Sequence, residues 1–322
     1  SKWLNLREVT RRIEFQTVGS PFEAQWLLFL LNRSYYPRRF RRRLRLRLPV
    51  LVKVNLRNRF PRCYVTVRMA EDGSLYYGPF SSRTVAERFT GDFLDLYRIR
   101  RCVPDLNPDP AHPGCIYSQM KMCLAPCFKG CSDEEYQQEL RRALGFLESE
   151  GARLVSELET EREEASVQLE FERAGRAHRL LEKAREVIRQ RQPIVREISR
   201  LDAVLILPGS QNKSVVFFRV VAGEIRGPAV LFFQENVSSP VPLDEQIHRS
   251  LAPLGVEEDV NPSMSISSSG QRRRLPPWEH LSLLARWYYS SFRVGEIVML
   301  PPHGELPHAR LVRLCRKMMS RE

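Results

Sequence analysis

The stretch GCIYSQMKMCLAPCFKGC, residues 114–131, places four of the chain's seven cysteines close together. A fifth, Cys102, stands just upstream in RIRRCVPDL, whereas Cys63 and Cys315 are remote in sequence. The use of this cluster decides between a disulfide scaffold, a redox centre and a protein folded around a metal. Secreted disulfide scaffolds spread paired cysteines through a small domain. Here the number is odd, the crowding is local, and 322 residues with 43% apolar side chains suffice for a core without staples. A thiolate metal site in a reducing, cytoplasmic compartment is the expectation. Buried cysteines without a ligand are the alternative, because free cysteine is commonly buried.

Spacing narrows the choice only partly. Cys102, Cys115, Cys123 and Cys127 are separated by twelve, seven and three residues, and Cys131 follows after three more. Zinc sites favour close ligand pairs, which only 123–127 and 127–131 supply. Four thiolates serve an iron–sulfur cluster equally well, and ligand softness does not separate the two. On spacing alone zinc stands slightly ahead.

The formal net charge of +13 favours polyanionic partners, and no apolar run reaches the length of a membrane span. The charge is uneven. NRSYYPRRFRRRLRLRL (32–48) is rich in arginine, whereas LESEGARLVSELETEREEASVQLEFE (147–172) is acidic. Leu44, Leu46 and Leu48 alternate with Arg43, Arg45 and Arg47, the period of a strand with one apolar and one cationic face. Arg38, Arg39, Arg41, Arg42, Arg43, Arg45 and Arg47 are candidate contacts to a DNA phosphate backbone, without base reading. A solvated charged face is the plain alternative.

Other elements read as follows. SKWLNLREVTRRI has helical spacing, IEFQTVG looks like a strand, and SPFEAQWLLFLLNRSYY (20–36) opens with a serine cap and a proline. That helix is apolar almost all round and is expected to be buried on most sides. PRCYVTVRMAEDGSLYYGPF (61–80) reads as a hairpin turning at EDG, followed by a capped helix. From Ser132 to about Gln192 the pattern is helical. SDEE supplies a capping box, Gly151 marks a break, and Leu154, Leu158, Ala165 and Leu169 form a second stripe. Residues 201–233 are three short strands with Gly and Asn turns, 261–277 is a polar loop, and two helices flank the strand GEIVML.

Several of these motifs, in this order, resemble the UvrC family. RRC, PGCIYSQMKMCLAPC and SDEEYQQELRRALGFLE match its C…PC-L-x-Y-Q-x-G-x-C-x-x-P-C stretch and the S-E-E-E-Y helix that follows. YYGPF (76–80) matches Y-F-G-P-F/Y, and SVQLEFERAGRAHRLLE is similar to the UVR motif L-x-F-E-x-A-A-x-x-R-D, with Gly175, His178 and Arg179 as departures. The resemblance covers roughly residues 13–240. It implies a [4Fe–4S] cluster on Cys102, Cys115, Cys123 and Cys127, with zinc as the alternative and Cys131 as a spare. It also implies a helical hairpin that docks on a UvrB-type partner through Leu169, Phe171, Glu172 and Ala174. A hairpin that simply packs within its own protein is the competing reading.

The implied fold is α+β. Residues 1–60 would be the C-terminal part of a GIY-YIG-like α/β module with the basic strand, and 61–131 the hairpin, helix and cysteine-rich region. Residues 132–192 would be the helical region with the UVR motif, and 193–322 a small α+β domain. The implied function is DNA repair by nucleotide excision, with DNA and a UvrB-like protein as partners and no membrane. Laid on the family without gaps, the sequence starts downstream of the GIY, YIG and arginine motifs, and the family's metal glutamate falls on Leu28. Leucine has no oxygen for a hard cation, so no catalytic residue is assigned. No RNase H-like region is found, nor a P-loop, H-E-x-x-H or nucleophile elbow. A non-catalytic interaction or regulatory module is the alternative function. His248, His280, His303 and His308 read as surface or packing residues.

Overall fold

Helix α1 (Pro21–Tyr35) starts where its sequence dictates. Ser20 accepts the Glu23 N–H at 3.2 Å and Pro21 fills the first helical position. The computed structural model describes residues 7–103, 106–233, 241–255, 275–301 and 306–319. Trp3, Leu4, Leu6, His303 and most of the polar loop at 261–277 therefore lie outside the described residues. Residues 13–18 form no strand, and Ile13 and Phe15 are exposed. Helix α1 buries Phe22, Trp26 and Phe29 but leaves Leu28, Leu30 and Leu31 51%, 41% and 44% exposed. Its all-round apolar pattern is thus buried on one face only.

The arginine-rich stretch corrects the sequence reading. Arg43 ends a short helix, α2 (Phe40–Arg43), and Arg45 adopts a left-handed φ of 50°. The expected basic strand is not there. The alternation survives as burial: Leu46 is buried, Leu44 and Leu48 are half-buried, and Arg43, Arg45 and Arg47 face solvent. The backbone finds partners other than a ladder. Leu46 N–H bonds to the Arg41 carbonyl, Arg47 N–H to Ser282 Oγ, and Arg286 donates to the Leu44 and Arg45 carbonyls.

The first sheet contains β1 (Val50–Val54), β2 (Cys63–Thr66), β3 (Leu75–Phe80) and β4 (Arg196–Glu197) in the antiparallel order β2-β1-β3-β4. The expected hairpin between 61 and 80 does not form, because β1 lies between β2 and β3. The two inner strands are largely buried, β1 at four of its five residues and β3 at all six. The Asp72–Gly73 turn exists, with Gly73 at φ 72°, but it folds back on β1, where Asp72 pairs with Lys53. Helix α3 (Arg83–Leu94), capped by Ser82, lays Phe89 and Phe93 along Tyr77 and Phe146.

After a short helix α4 (Ile116–Gln119) come three long ones: α5 (Asp133–Glu148), α6 (Ala152–Val167) and α7 (Phe171–Gln190). Ser132 and Glu135 close the capping box ahead of α5, with bonds of 3.1 and 2.8 Å. Helices α6 and α7 pair as a hairpin, burying Leu154, Leu158, Ala165, Ala177, Leu181, Ala184 and Val187. Leu169 does not extend the α6 stripe; it sits in the turn at φ 60°.

The second sheet is β7 (Glu224–Phe232), β6 (Ser214–Val221), β5 (Ala203–Pro208) and β8 (Glu296–Met299), antiparallel and in that order. Its central strands β5 and β6 read as apolar runs, interrupted in β6 by Arg219, because both faces are covered. One face packs Leu205, Val216 and Phe218 with α1 and α9 (Trp278–Tyr288), in one core continuous with the first sheet. The other packs Val204, Ile206 and Phe217 against α8 (Leu243–Gly255) and α10 (His308–Met319).

Candidate metal centre and interaction surfaces

Chain geometry delivers the cysteines from separate elements. Cys102 follows the exit from α3, Cys115 precedes α4, Cys123 ends the next turn, and Cys127 lies in a 3₁₀ turn over Pro126–Phe128. The loop is held by its own hydrogen bonds. Cys115 N–H bonds to Ser118 Oγ at 2.9 Å, Asp109 N–H to the Cys127 carbonyl, and Gly130 N–H to the Ala125 carbonyl. Ala125 and Lys129 take left-handed conformations on either side of Cys127.

Cys102, Cys115, Cys123 and Cys127 line one cavity with Arg100, Arg101, Leu106, Tyr117, Ser118, Ala125 and Pro126. Burial pushes the Cys123 thiol up to about 11, its three neighbouring cysteines push the same way, and the Ala125 N–H at 3.3 Å works against them. Burial also raises Cys127 and Cys131. Cys123 and Cys127 thus resist ionisation, first through burial and then through the cysteines beside them. Among the described residues no three His, Cys, Asp or Glu side chains are arranged to hold a single metal ion.

The donor set nevertheless fits an iron–sulfur cluster. Such a cluster takes one thiolate at each iron, so its ligands surround a volume rather than a point. Arg101, one of the residues lining the cavity, has a buried Nε without a hydrogen-bond partner. Cys131 lies outside, in a polar groove with Arg98, Glu135 and Arg142. Arg100 and Arg101 were missed in the sequence; their only signal was adjacency to Cys102 in RRC.

The hairpin residues stand apart from this cavity. Val167, Leu169 and Phe171 are 77%, 70% and 73% exposed at the α6–α7 tip. Glu172 is exposed and Ala174 half-buried one turn along α7. The acidic flank is internally paired, as in Arg173 with Glu161 and Glu170, and Arg185 with Glu159 and Glu182.

The arginines form a solvent-facing edge beside α1 and α9. Arg38, Arg39, Arg42, Arg45 and Arg47 are exposed, and Arg43 is held at 2.9 Å by Asn32 and stacks 4.1 Å from the Tyr36 ring. Arg41 differs: its Nε lies 2.6 Å from Glu279, whose side chain is only 7% exposed, and its guanidinium covers Phe40 and Trp278. Arg41 also lines a groove of about 790 Å³ with Arg33, Glu71 and Trp278, a feature without sequence signal. Leu28 is exposed on α1.

An antiparallel sheet, a four-cysteine loop and the capped helix α5 define a cysteine-bearing α+β module. Residues 50–146, from β1 through most of α5, match the middle domain of the UvrC/Cho excinucleases. The chain is 30% identical over 168 residues to the UvrABC system protein C of Methanothermobacter thermautotrophicus, covering 52% of the chain and 28% of the relative. It is 34% identical over 173 residues to that of Acidobacterium capsulatum (52% and 26%), and 25% identical over 220 residues to that of Ruminiclostridium cellulolyticum (68% and 34%). It spans about a third or less of the length of these relatives. No solved structure matches it. Through this shared region the chain is similar to the UvrC proteins. No helix of the described residues is long and apolar enough to cross a membrane.

Proposed function

We propose that the chain serves nucleotide excision repair in the cytoplasm as a UvrC-like protein that joins DNA to a UvrB-type partner. The observation that carries this reading is the hairpin tip, where Val167, Leu169 and Phe171 are held in solvent by a well-packed stem. Apolar side chains displayed at the end of a rigid element are the usual anchors of a protein interface. Leu169 and Phe171 would enter a pocket of the partner, with Glu172 and Ala174 along the rim. DNA would run along Arg38, Arg39, Arg42, Arg43, Arg45 and Arg47. Arg41 would contribute less, because Glu279 already neutralises it.

Cys102, Cys115, Cys123 and Cys127 would hold a [4Fe–4S] cluster that pins the loop between α3 and α5. The loop buries few apolar residues of its own, so the cluster's role would be structural. Incision is not assigned to α1. Leu28, at the family's metal-glutamate position, carries no oxygen and faces solvent. The missing oxygen favours a second reading, in which the chain recruits partners without cutting.

Nicking of damaged DNA in the presence of UvrA and UvrB separates the two readings. Incision by the gene product supports the excinuclease role, and its absence with retained UvrB capture leaves recruitment. Failure of UvrB capture that is equal for wild type and Phe171→Ala removes the partner role altogether.

A further inference from the structure

We propose that Arg100 and Arg101 are positioning residues for the cysteine-held cluster, stabilising its sulfur ligands and raising its reduction potential. The inference rests on the iron–sulfur reading above. Arg100 is 1% exposed, among the most deeply buried large side chains of the chain. It is fixed on three sides. Its N–H bonds to Tyr136 Oη at 3.1 Å, Nε to the Phe60 carbonyl at 2.8 Å, and Nη1 to Cys102 Sγ at 3.6 Å. Arg101 is held by Asp95 at 2.7 Å and lies 5.7 Å from the Tyr117 ring, with its buried Nε left as a free donor. Both side chains line the cavity of the four thiols.

A guanidinium is charged at every working pH and cannot relieve its burial by losing a proton. It is therefore kept in such a place at a cost, which an anionic neighbour offsets. Four thiolates around a cluster are such a neighbour. Adding one electron increases the negative charge of that set, so a fixed cation and N–H···S bonds stabilise the reduced form more than the oxidised form. The two arginines differ in what they offer. Arg100 grips one ligand sulfur directly, whereas Arg101, neutralised by Asp95, offers chiefly its Nε–H.

The test is anaerobic purification of wild type, Arg100→Lys, Arg100→Gln and Arg101→Met. Iron, zinc and acid-labile sulfide are measured first. A redox titration with dithionite as the one-electron donor follows, read by visible absorption and electron paramagnetic resonance. Arg100→Lys is expected to keep the wild-type potential more closely than Arg100→Gln. Arg100→Gln and Arg101→Met are expected to make reduction about tenfold less favourable, about 59 mV for one electron. Loss of iron from a variant that melts like wild type also supports the proposal. Should Arg100→Gln fail to fold, Arg100→Lys and Arg101→Met carry the measurement. Full iron and equal potentials in all folded variants overturn the role of the arginines and leave the cluster standing. Zinc, or no metal, in the wild type overturns the cluster reading and this inference with it.

Discussion

The Tyr136 hydroxyl donates to the Pro61 carbonyl at 2.6 Å and accepts the Arg100 N–H at 3.1 Å. One fully buried oxygen on α5 thereby joins the start of β2 to the segment that enters Cys102. Burial holds the phenol well above its ordinary range, so it remains a donor at working pH. Tyr136→Phe would strand a carbonyl and an N–H in the core. The expected cost is about 1–3 kcal/mol in urea unfolding. An unchanged midpoint would mean that both groups find other partners.

His280 provides a pH dependence with a definite sign. It is 4% exposed between the rings of Trp26 and Phe29, and its Nδ1 accepts the Ile225 N–H at 3.0 Å. Burial lowers its pKa from 6.5 to about 4. Between those values the unfolded chain binds a proton that the folded chain refuses, so stability rises with pH across the window. Acidification from 6.5 toward 4 should cost on the order of 3 kcal/mol at this residue. His280→Gln should flatten the thermal melting profile in that window even though it lowers stability at neutral pH. An equal pH slope in both proteins would assign the acid sensitivity to carboxylates instead.

Local chemistry was legible and long-range order was not. Ser20, Ser82 and Ser132 announced their helices, because a cap is a bond over three residues. Strands β5 and β6 showed as apolar runs because both of their faces are covered. The meeting of four cysteines in one cavity could be expected, although their spacing put zinc only slightly ahead of iron. The place of β1 between β2 and β3 had no local signal, since strand order depends on which strand wins the centre of the sheet. The Leu–Arg alternation was read correctly for burial and wrongly for backbone, because its partners are Ser282 and Arg286, more than two hundred residues away. Arg100 was invisible for a similar reason: a buried guanidinium is defined by what surrounds it.

The hairpin stem and tip should respond oppositely to truncation. Leu181 is fully buried between α6 and α7, so Leu181→Ala should cost about 2–5 kcal/mol. Phe171→Ala removes a ring already in solvent and should stay within about 0.5 kcal/mol of wild type. Calorimetry checks both. A large loss from Phe171→Ala would place that ring in the protein's own packing and weaken the case for a partner.

Among the arginines, position decides which substitution reports on DNA. Arg41→Gln would leave the Glu279 carboxylate, 5% exposed as a residue, without its cation. Lost affinity there would mix binding with destabilisation. Arg43, Arg45 and Arg47 are exposed, so their joint change to Gln should leave the melting temperature nearly unaltered. If each meets one phosphate, the slope of log affinity against log salt should fall by about 0.9 per residue, roughly 3 in all. The loss should be the same for unrelated DNA sequences, because backbone contacts carry no base information. Fluorescence anisotropy over a salt series measures both quantities. An unchanged slope would make these side chains a solvated edge that keeps Leu44, Leu46 and Leu48 turned toward the core, and DNA would have to be sought on another face.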